Sequence, residues 1–524
     1  MTRDAATIGA GLASPRPPRP IRGGERIHVV GAAGAGASGA ALLAHHAGGA
    51  LDGCDAGGPS PYTPPLEAAG IVLAWVHDAA HVSGSPAPER LAVTKALTAV
   101  APDHPELVAA RARGIPLEPW QQVVADTAVG RRLVGVSGTH GKSTTSGWLV
   151  HVLVTAGADP SAFVGALLAA SITGGLPATA RWGRGTSFVV EADEYAGNFN
   201  PYRPAVTVIT SVEWDHPDVF ANVDAVIEAF ARWLRASLDT TGGGESSVLV
   251  ANVADPGVGR LLDRLDDWPG PIVAVGLVDQ APQRLGGYGR GIAEQYGRAG
   301  RPARAILGRV VRSDPSATEI ELHGLDPLVG PLDIRLPTAG RHNASNALCV
   351  AATAAVLGLT PSSIVSGLAS FEGIGRRLER KGEAAGIVIY DDYAHHPTAI
   401  RETLMAVRQR EPGRRIWAVY EPLTYHRTAA LLQAFADALA TADAVAIADI
   451  WAGRDPDTTI TSAAVLAEAV ASRRPDIPLA APSSAEATAA WLDHEVRAGD
   501  VVLVMGGGRS YRIAELLVEG LERR

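Results

Sequence analysis

The segment Ser137-Gly138-Thr139-His140-Gly141-Lys142-Ser143-Thr144-Thr145 constrains this chain more than any other. It follows an apolar run at 132–136. It opens a run that places Leu149, Val152, Leu153 and Ala156 on one helical face, with Gly157 as the stop. A strand, a glycine-rich turn and a helix in that order make a loop whose backbone N–H groups face phosphate. Its lysine reaches the terminal phosphates and its hydroxyl ligates Mg²⁺. The Walker A spacing needs glycine at 136, where this chain has Val136. The loop is therefore the shorter G-x-x-G-K-[ST] form. A plain helix-capping turn would not call for Lys-Ser-Thr at the helix start.

Lysine usage bears on the same loop. Of 46 basic residues only Lys95, Lys142 and Lys381 are lysine. Arginine replaces lysine readily on a solvated surface, but a planar guanidinium is a poor substitute for a compact charge in a tight phosphate loop. Drift toward arginine accounts for the rest, and could have left the other two lysines.

With 524 residues the chain is too long for one core, and three or four units are expected. Hydrophobic residues at 47% and charged residues at 19% mark a globular composition. A net charge of -9 argues against nucleic acid or an anionic membrane as main partner. Cys54 and Cys349 make no disulfide framework and no zinc spacing, so a reducing cytoplasm fits. The longest apolar run, 347–359, is too short to span a bilayer and reads as a buried helix. Residues 1–24 lack the apolar core of a signal peptide and read as a loose arm.

A strand at 27–30 runs into Gly31-Ala-Ala-Gly34-Ala-Gly36-Ala-Ser38-Gly39 and a helix from about 37. This is the G-x-G-x-x-G spacing of dinucleotide sites, with Asp52 and Asp55 further on. Among 58 glycines, a chance match or a plain tight turn competes with it. Further strands are expected at 187–190, 206–210, 387–390, 416–420, 444–448 and 501–505. The stretch 240–247 reads as a Gly-rich loop, and 280–330 resists assignment. The pattern is α/β, with mainly parallel sheets in each of three units.

Two acidic clusters come directly after strand ends: Glu191-Ala-Asp193-Glu194-Tyr195 and Glu213-Trp-Asp215-His216-Pro217-Asp218. Carboxylates at that end of a parallel strand face the ligand crevice. There they hold Mg²⁺ or orient a nucleophile; otherwise they are solvated turns. His216 beside them is a candidate metal ligand. Gly340-Arg341-His342-Asn343-Ala-Ser-Asn346 offers groups for a purine or ribose, or simply caps a helix. Asp391-Asp392-Tyr393-Ala394-His395-His396-Pro397 lies at another sheet edge, with the same two readings. Arg376 and Arg377 suit a phosphate or carboxylate, or are surface charges.

Taken in order, IHVVGAAGAGASG, SGTHGKSTT, VVEADEY, EWDHPDVF, GRHNASNA, GIGRRLERKG, DDYAHHPTAI and YEPLTYHRT resemble the Mur ligase family along nearly the whole chain. The resemblance implies a flexible arm (1–24), a Rossmann-like UDP-sugar-binding domain (25–129), a central P-loop ATPase-like domain (130–371) and a Rossmann-like amino-acid domain (372–524). It implies ATP-dependent ligation of L-alanine to the carboxylate of UDP-N-acetylmuramate through an acyl phosphate, in peptidoglycan synthesis. ATP and Mg²⁺ would be the cofactors. The enzyme would be cytoplasmic, a monomer or homodimer, without nucleic acid or membrane insertion.

By the same resemblance, the catalytic residues are Lys142, Glu191, His216, His395 and Arg427. ATP would meet Gly138, Thr139, His140, Gly141, Lys142, Ser143, Thr144, His342, Asn343, Asn346, Asp391, Asp392 and Tyr393. The UDP-sugar would meet Gly31, Gly34, Gly36, Ser38, Asp55, Arg376 and Arg377. Ser143, Glu191 and His216 would hold Mg²⁺, and His395 and His396 with Arg427 would line the amino-acid side. Several sibling ligases use a carbamylated lysine downstream of the position matching His216; no lysine lies between Lys142 and Lys381 here. The chain departs from the family pattern at Ser143 (usually Thr), Ala33 and Ala37 (Gly and Met), Glu421 and Leu423 (Gln and His) and Arg509 (an acidic residue). Two alternatives stand beside this reading: a recycling ligase adding a murein tripeptide to the same sugar acid, and an NAD-dependent oxidoreductase resting on Gly34-x-Gly36-x-x-Gly39.

Overall fold

A computed structural model describes residues 8–238, 247–279, 282–297, 302–326, 330–453, 455 and 457–524. Most of the Gly-rich stretch 240–247 lies outside them. The strands assemble into three sheets of five, ten and six strands.

The first sheet has the spatial order Val72–Ala74, Ala50–Cys54, Arg26–Val30, Arg90–Val93, Leu117–Pro119, all parallel. Its order reverses beside Arg26–Val30, the strand that feeds the 31–36 turn. A crevice opens at such a reversal. The helix Ala35–His46 comes next, carrying its small residues into the next unit. Gly39 is required there: a Cβ would lie 2.8 Å from the Phe163 ring and from Thr179 Oγ1.

The central sheet runs Leu332–Leu336, Ala317–His323, Ala303–Asp314, Ile272–Leu277, Val248–Asn252, Val206–Ile209, Arg132–Ser137, Ser187–Glu191, Ser161–Leu168, Ala178–Arg181. It is parallel from Ala303–Asp314 through Ser161–Leu168, with antiparallel strands added at both edges. Helices Lys142–Thr155 and Arg341–Val356 bury Trp148, Leu149, Ala347 and Leu348 against one face. The apolar run at 347–359 is thus a buried helix, as expected. The region 280–330, which has no clear periodicity, holds a helix at Pro282–Tyr296 and two strands joined by a tight turn. Asp314 Oδ1 closes that turn by accepting the N–H groups of Ser316 (2.8 Å) and Ala317 (3.0 Å).

The third sheet runs Glu379–Ala384, Ile387–Asp392, Val501–Gly506, Ile416–Glu421, Ala444–Ile447, Leu479–Ala480, parallel except at its first strand. Successive residues alternate between two covered faces, with Tyr390, Ala418 and Tyr420 on one and Ile389, Trp417 and Val419 on the other. That is why these strands read as continuous apolar runs.

One expectation is corrected here. The arm expected to be loose over 1–24 is pinned across its described part. Ile8 is buried, and Gly9 N–H donates to Thr98 Oγ1. Arg16 bridges Glu118 and Asp126 at 2.7 Å each, and Arg19 reaches Glu25 at 2.5 Å. A Pro/Arg composition suggests solvent, but three buried carboxylates supply the partners. Among the described residues no helix is long and apolar enough to cross a membrane.

Candidate active site

The strand Arg132–Ser137 sits mid-sheet between Ser187–Glu191 and Val206–Ile209. This placement decides the site. The phosphate-type loop leaves the central strand, and the two acidic clusters leave its neighbours on either side. Gly138 (φ 135) and Gly141 (φ 79) occupy backbone conformations that L side chains rarely adopt. Thr139 N–H donates to Ser211 O at 2.9 Å, and His140 N–H to Ser211 Oγ at 2.8 Å, tying the loop to the adjacent strand end.

Lys142 Nζ donates to Gly138 O (2.6 Å) and to Glu194 Oε2 (2.9 Å), with Asp193 at 3.8 Å. Burial works against the ammonium, but Glu194 and Asp193 outweigh it, so Lys142 holds its proton. Burial also lifts Glu194 to about 7. Ser143 Oγ donates to Glu191 Oε1 at 2.9 Å, and Gly165 N–H to Glu191 Oε2 at 2.6 Å. The loop hydroxyl and a strand-end carboxylate therefore face one another. Asp193, Glu194 and His216 form a second group whose ligand atoms lie within 4.8 Å of each other.

The third unit closes this cleft from above. Arg427, 1% exposed, donates Nε–H to Asp215 (2.8 Å) and Nη2–H to His216 Nδ1 (3.0 Å). Arginine can only donate, so His216 Nδ1 accepts and its Nε2 faces Glu194 at 4.0 Å. Burial favours the neutral form of Asp215, yet the Arg427 guanidinium holds it well below the usual carboxylate range. Arg427 Nη1 is buried with no hydrogen-bond partner. Three more contacts cross the same gap: Arg377 Nη2 to Ser143 Oγ (2.7 Å), Thr398 Oγ1 to Glu213 Oε1 (2.8 Å) and His396 Nε2 to Trp214 O (3.3 Å). The resulting cleft, about 1320 Å³, is lined by Gly34 and Gly36 of the first unit as well as by the two others.

Burial pushes His396 down to about 4, and His395 well below its usual value, so both are neutral near pH 7. His395 Nδ1 pairs with Tyr393 O at 2.8 Å. Asn343 and Asn346 are buried at the cleft wall, where Asn346 Nδ2 donates to Asn343 Oδ1 at 3.3 Å. His140, Thr144, His342, Asp392 and Tyr393 also line the cleft.

Several expected site residues point elsewhere. Arg376 is 8% exposed, and its guanidinium bonds Asp391 (3.0 Å), Gly506 O (2.8 Å) and Ser510 Oγ (2.7 Å) of the third unit, while on its other side it meets Tyr62 of the first unit. Asp391, fully buried and paired with Arg376, is off the cleft wall, which Asp392 lines. Arg377 donates to Ser143 of the phosphate-type loop and also borders Tyr62 of the first unit. Ser38 bonds Ala35 O (3.1 Å) and Thr179 Oγ1 (3.3 Å) at the packed contact between units. Asp55 Oδ2 accepts Ala33 N–H at 3.1 Å, and so shapes the Gly-rich turn from behind. Gly31, at φ 81, turns the chain without lining the cleft.

Sequence reasoning passes over Asp193, Glu194, Glu213, Asp215, Lys95 and Thr398 as individual site residues. The first four lie inside motifs already singled out, so the signal is present without its direction. Lys95, one of three lysines, lines the cleft with Nζ 2.8 Å from Ala196 O, and burial lowers it to about 8.

Glu421 carries a pH prediction. It is 7% exposed, and burial raises its carboxyl from the ordinary range up to about 7. Between about pH 4.5 and 7 the folded chain binds more protons here than the unfolded chain. Stability therefore falls as pH rises through that window, and the deficit persists above it. Glu421→Gln removes the titration. Its unfolding free energy should exceed the wild type's by up to about 3 kcal/mol at pH 8, and match it below pH 4.5. Urea unfolding of both proteins across pH checks this; parallel curves would show that Glu421 titrates normally.

Three family descriptions match in chain order: the Mur ligase family catalytic domain over residues 26–132, the Mur ligase middle domain over 136–354 and the Mur ligase glutamate ligase domain over 376–508. A UDP-N-acetylmuramate–L-alanine ligase of Gloeobacter violaceus is 34% identical over 505 residues, covering 96% of this chain and 97% of the relative. One of Kineococcus radiotolerans is 36% identical over 488 residues, covering 92% and 93%. Among solved structures, the fold is similar to a UDP-N-acetylmuramate-alanine ligase of Thermotoga maritima, with TM-score 0.71 and 23% identity over 94% of this chain and 98% of that one. A murein peptide ligase of Psychrobacter arcticus gives TM-score 0.69 and 23% identity over 96% and 99%. With family matches on all three sheets and relatives above 30% identity along nearly its whole length, the chain belongs to the Mur ligase family.

Proposed function

We propose that this chain joins L-alanine to the carboxylate of UDP-N-acetylmuramate at the expense of ATP, forming UDP-N-acetylmuramoyl-L-alanine for peptidoglycan synthesis. The names of the relatives support the substrates. The observation that carries the chemistry is the meeting of Lys142, the Ser143–Glu191 pair and Arg427 in one cleft. We take the units as 25–129, 130–371 and 372–524, and the compartment as the cytoplasm.

The UDP pyrophosphate sits on the N-terminus of Ala35–His46, at Gly34 and Gly36. The muramate carboxylate attacks the terminal phosphorus of ATP. Lys142 and Arg377 offset the charge on the transferred group, and ADP leaves. The alanine amine then attacks the acyl phosphate, and phosphate departs from the tetrahedral intermediate. Arg427 Nη1 receives the alanine carboxylate, and His395 Nε2 accepts a hydrogen bond from the incoming amine. The oxygen-rich donor set fits Mg²⁺, which prefers carboxylate and hydroxyl ligands. Ser143 and Glu191 would hold one ion, and Asp193 and Glu194 a second, which His216 Nε2 would join once its proton moves to Nδ1 and Arg427 turns to the substrate. Mg²⁺ there would screen phosphate charge.

Phosphate release from ATP with UDP-N-acetylmuramate tests the assignment, offering L-alanine, glycine, L-serine or the murein tripeptide separately. Release with L-alanine and little with the tripeptide is expected; release only with the tripeptide would assign the chain to the recycling reaction. His216→Ala should raise the Mg²⁺ concentration for half-maximal activity about tenfold or more. An unchanged Mg²⁺ titration would remove His216 from the metal shell.

A further inference from the structure

We propose that the first unit carries a divalent-cation site suited to Zn²⁺, formed by His28, Cys54, His81 and Glu106, apart from the catalytic cleft. None of the four lines that cleft. They come from four separate elements: strands Arg26–Val30 and Ala50–Cys54, and helices Ala80–Ser83 and Pro105–Ala112. One ligand atom of each lies within 4.8 Å of all the others. Tetrahedral zinc with nitrogen, sulfur and oxygen ligands needs separations of about 3.3–3.8 Å, so the shell forms if the short Glu106 contacts to Cys54 and His81 open slightly and the wider separations close.

The surroundings are built for an ion. Glu106 is fully buried, and its ion-pair partners among the described residues are histidines. Cys54 Sγ lies 3.0 Å from Glu106 Oε2, and His81 Nδ1 lies 2.7 Å from Oε1. His28 is 2% exposed. Its Nδ1 meets Asp52 at 2.7 Å while its buried Nε2 has no hydrogen-bond partner and faces Glu106 at 3.7 Å. A carboxylate holding one ring nitrogen while the other points at the ion is the arrangement that orients histidine ligands. His28 and Asp52 are register partners on paired strands, so the sheet itself sets this orientation. His104 adds a second signal: it is 6% exposed and neither ring nitrogen has a partner. Its ring packs 4.4 Å from that of His77, whose Nδ1 is 3.2 Å from Cys54 Sγ. Two neutral imidazoles, a thiolate and a carboxylate balance a +2 ion. Binding releases the Cys54 proton and any proton on His28.

The position suggests what the ion does. Gly31 and Ala32 N–H groups both donate to Cys54 O, at 2.9 and 3.0 Å. An ion gripping Cys54 would stiffen the Gly-rich turn from behind, and so preset the pyrophosphate cradle.

The test uses the full chain, stripped with chelator and then exposed to Zn²⁺ alone or Co²⁺ alone. Mass spectrometry after gel filtration counts the metal, and absorption reads the cobalt form. One tightly held equivalent is expected, with a sulfur-to-cobalt charge-transfer band. Cys54→Ser should abolish the band. His81→Ala should weaken zinc binding at least about 100-fold, and Asp52→Asn about 10–100-fold. Asp52 is a surface side chain, 60% exposed, so its variant keeps the test open if core variants fail to fold. No retained zinc, or zinc held equally by Cys54→Ser and His81→Ala, would overturn the proposal. Unchanged affinity in Asp52→Asn would remove His28 from the shell.

Discussion

Lys142→Ala should lower turnover by about 10³-fold or more while leaving UDP-sugar affinity nearly unchanged. The ammonium lies in a closed environment, bonded to the loop carbonyl of Gly138 and to Glu194, with Asp193 alongside. Without it, three carboxylates at 191, 193 and 194 would face the phosphates unopposed by the loop. The pyrophosphate cradle proposed at Gly34 and Gly36 follows a strand of a different sheet and should feel this charge weakly. Steady-state kinetics with equilibrium binding of UDP-N-acetylmuramate separates the two effects. Loss of sugar binding together with turnover would mean that Lys142 organises the whole cleft and not the phosphoryl group.

Arg427→Ala should lower kcat/KM for the amino acid by about 10²–10³-fold. Two losses combine. The partnerless Nη1 disappears from the place proposed for the acceptor carboxylate. Asp215 and His216, both bonded to this guanidinium across the gap between units, lose their partner, and Asp215 becomes a buried uncompensated charge. Because the pair spans two units, the cost should appear as an open cleft and not as global unfolding. A thermal midpoint close to wild type with a raised alanine KM is the expected signature. A normal KM with reduced kcat would leave Arg427 as a positioning residue for His216.

The phosphate-type loop at 138–144, the two acidic clusters and the expected strand positions were legible because each is local. A parallel strand buried on both faces must be a short apolar run, and the residues just past its C-terminal end lie at a crevice. The eight strands expected begin and end within a residue or two of their observed counterparts, and the other strands were not anticipated.

Adjacent polar residues were less legible. Asp391 and Asp392 are neighbours on a strand end, yet one pairs with Arg376 inside the third unit and the other lines the cleft. Arg376 and Arg377 likewise diverge, toward Ser510 and toward Ser143. Side chains alternate faces along the strand at 391–392, and a turn with Arg376 at φ 57 separates the two arginines; no local pattern says which direction is the crevice. Composition misled at 8–24, because the carboxylates that hold Arg16 are more than a hundred residues away.

The sequence by itself determined the α/β class, the phosphate-type loop and the family, since each rests on spacing along one short stretch. Only the tertiary structure decided which carboxylates meet Lys142, that Arg427 reaches Asp215, and that His28, Cys54, His81 and Glu106 converge. Those pairings depend on how three sheets dock and on the direction each side chain leaves its backbone, and neither is encoded at short range.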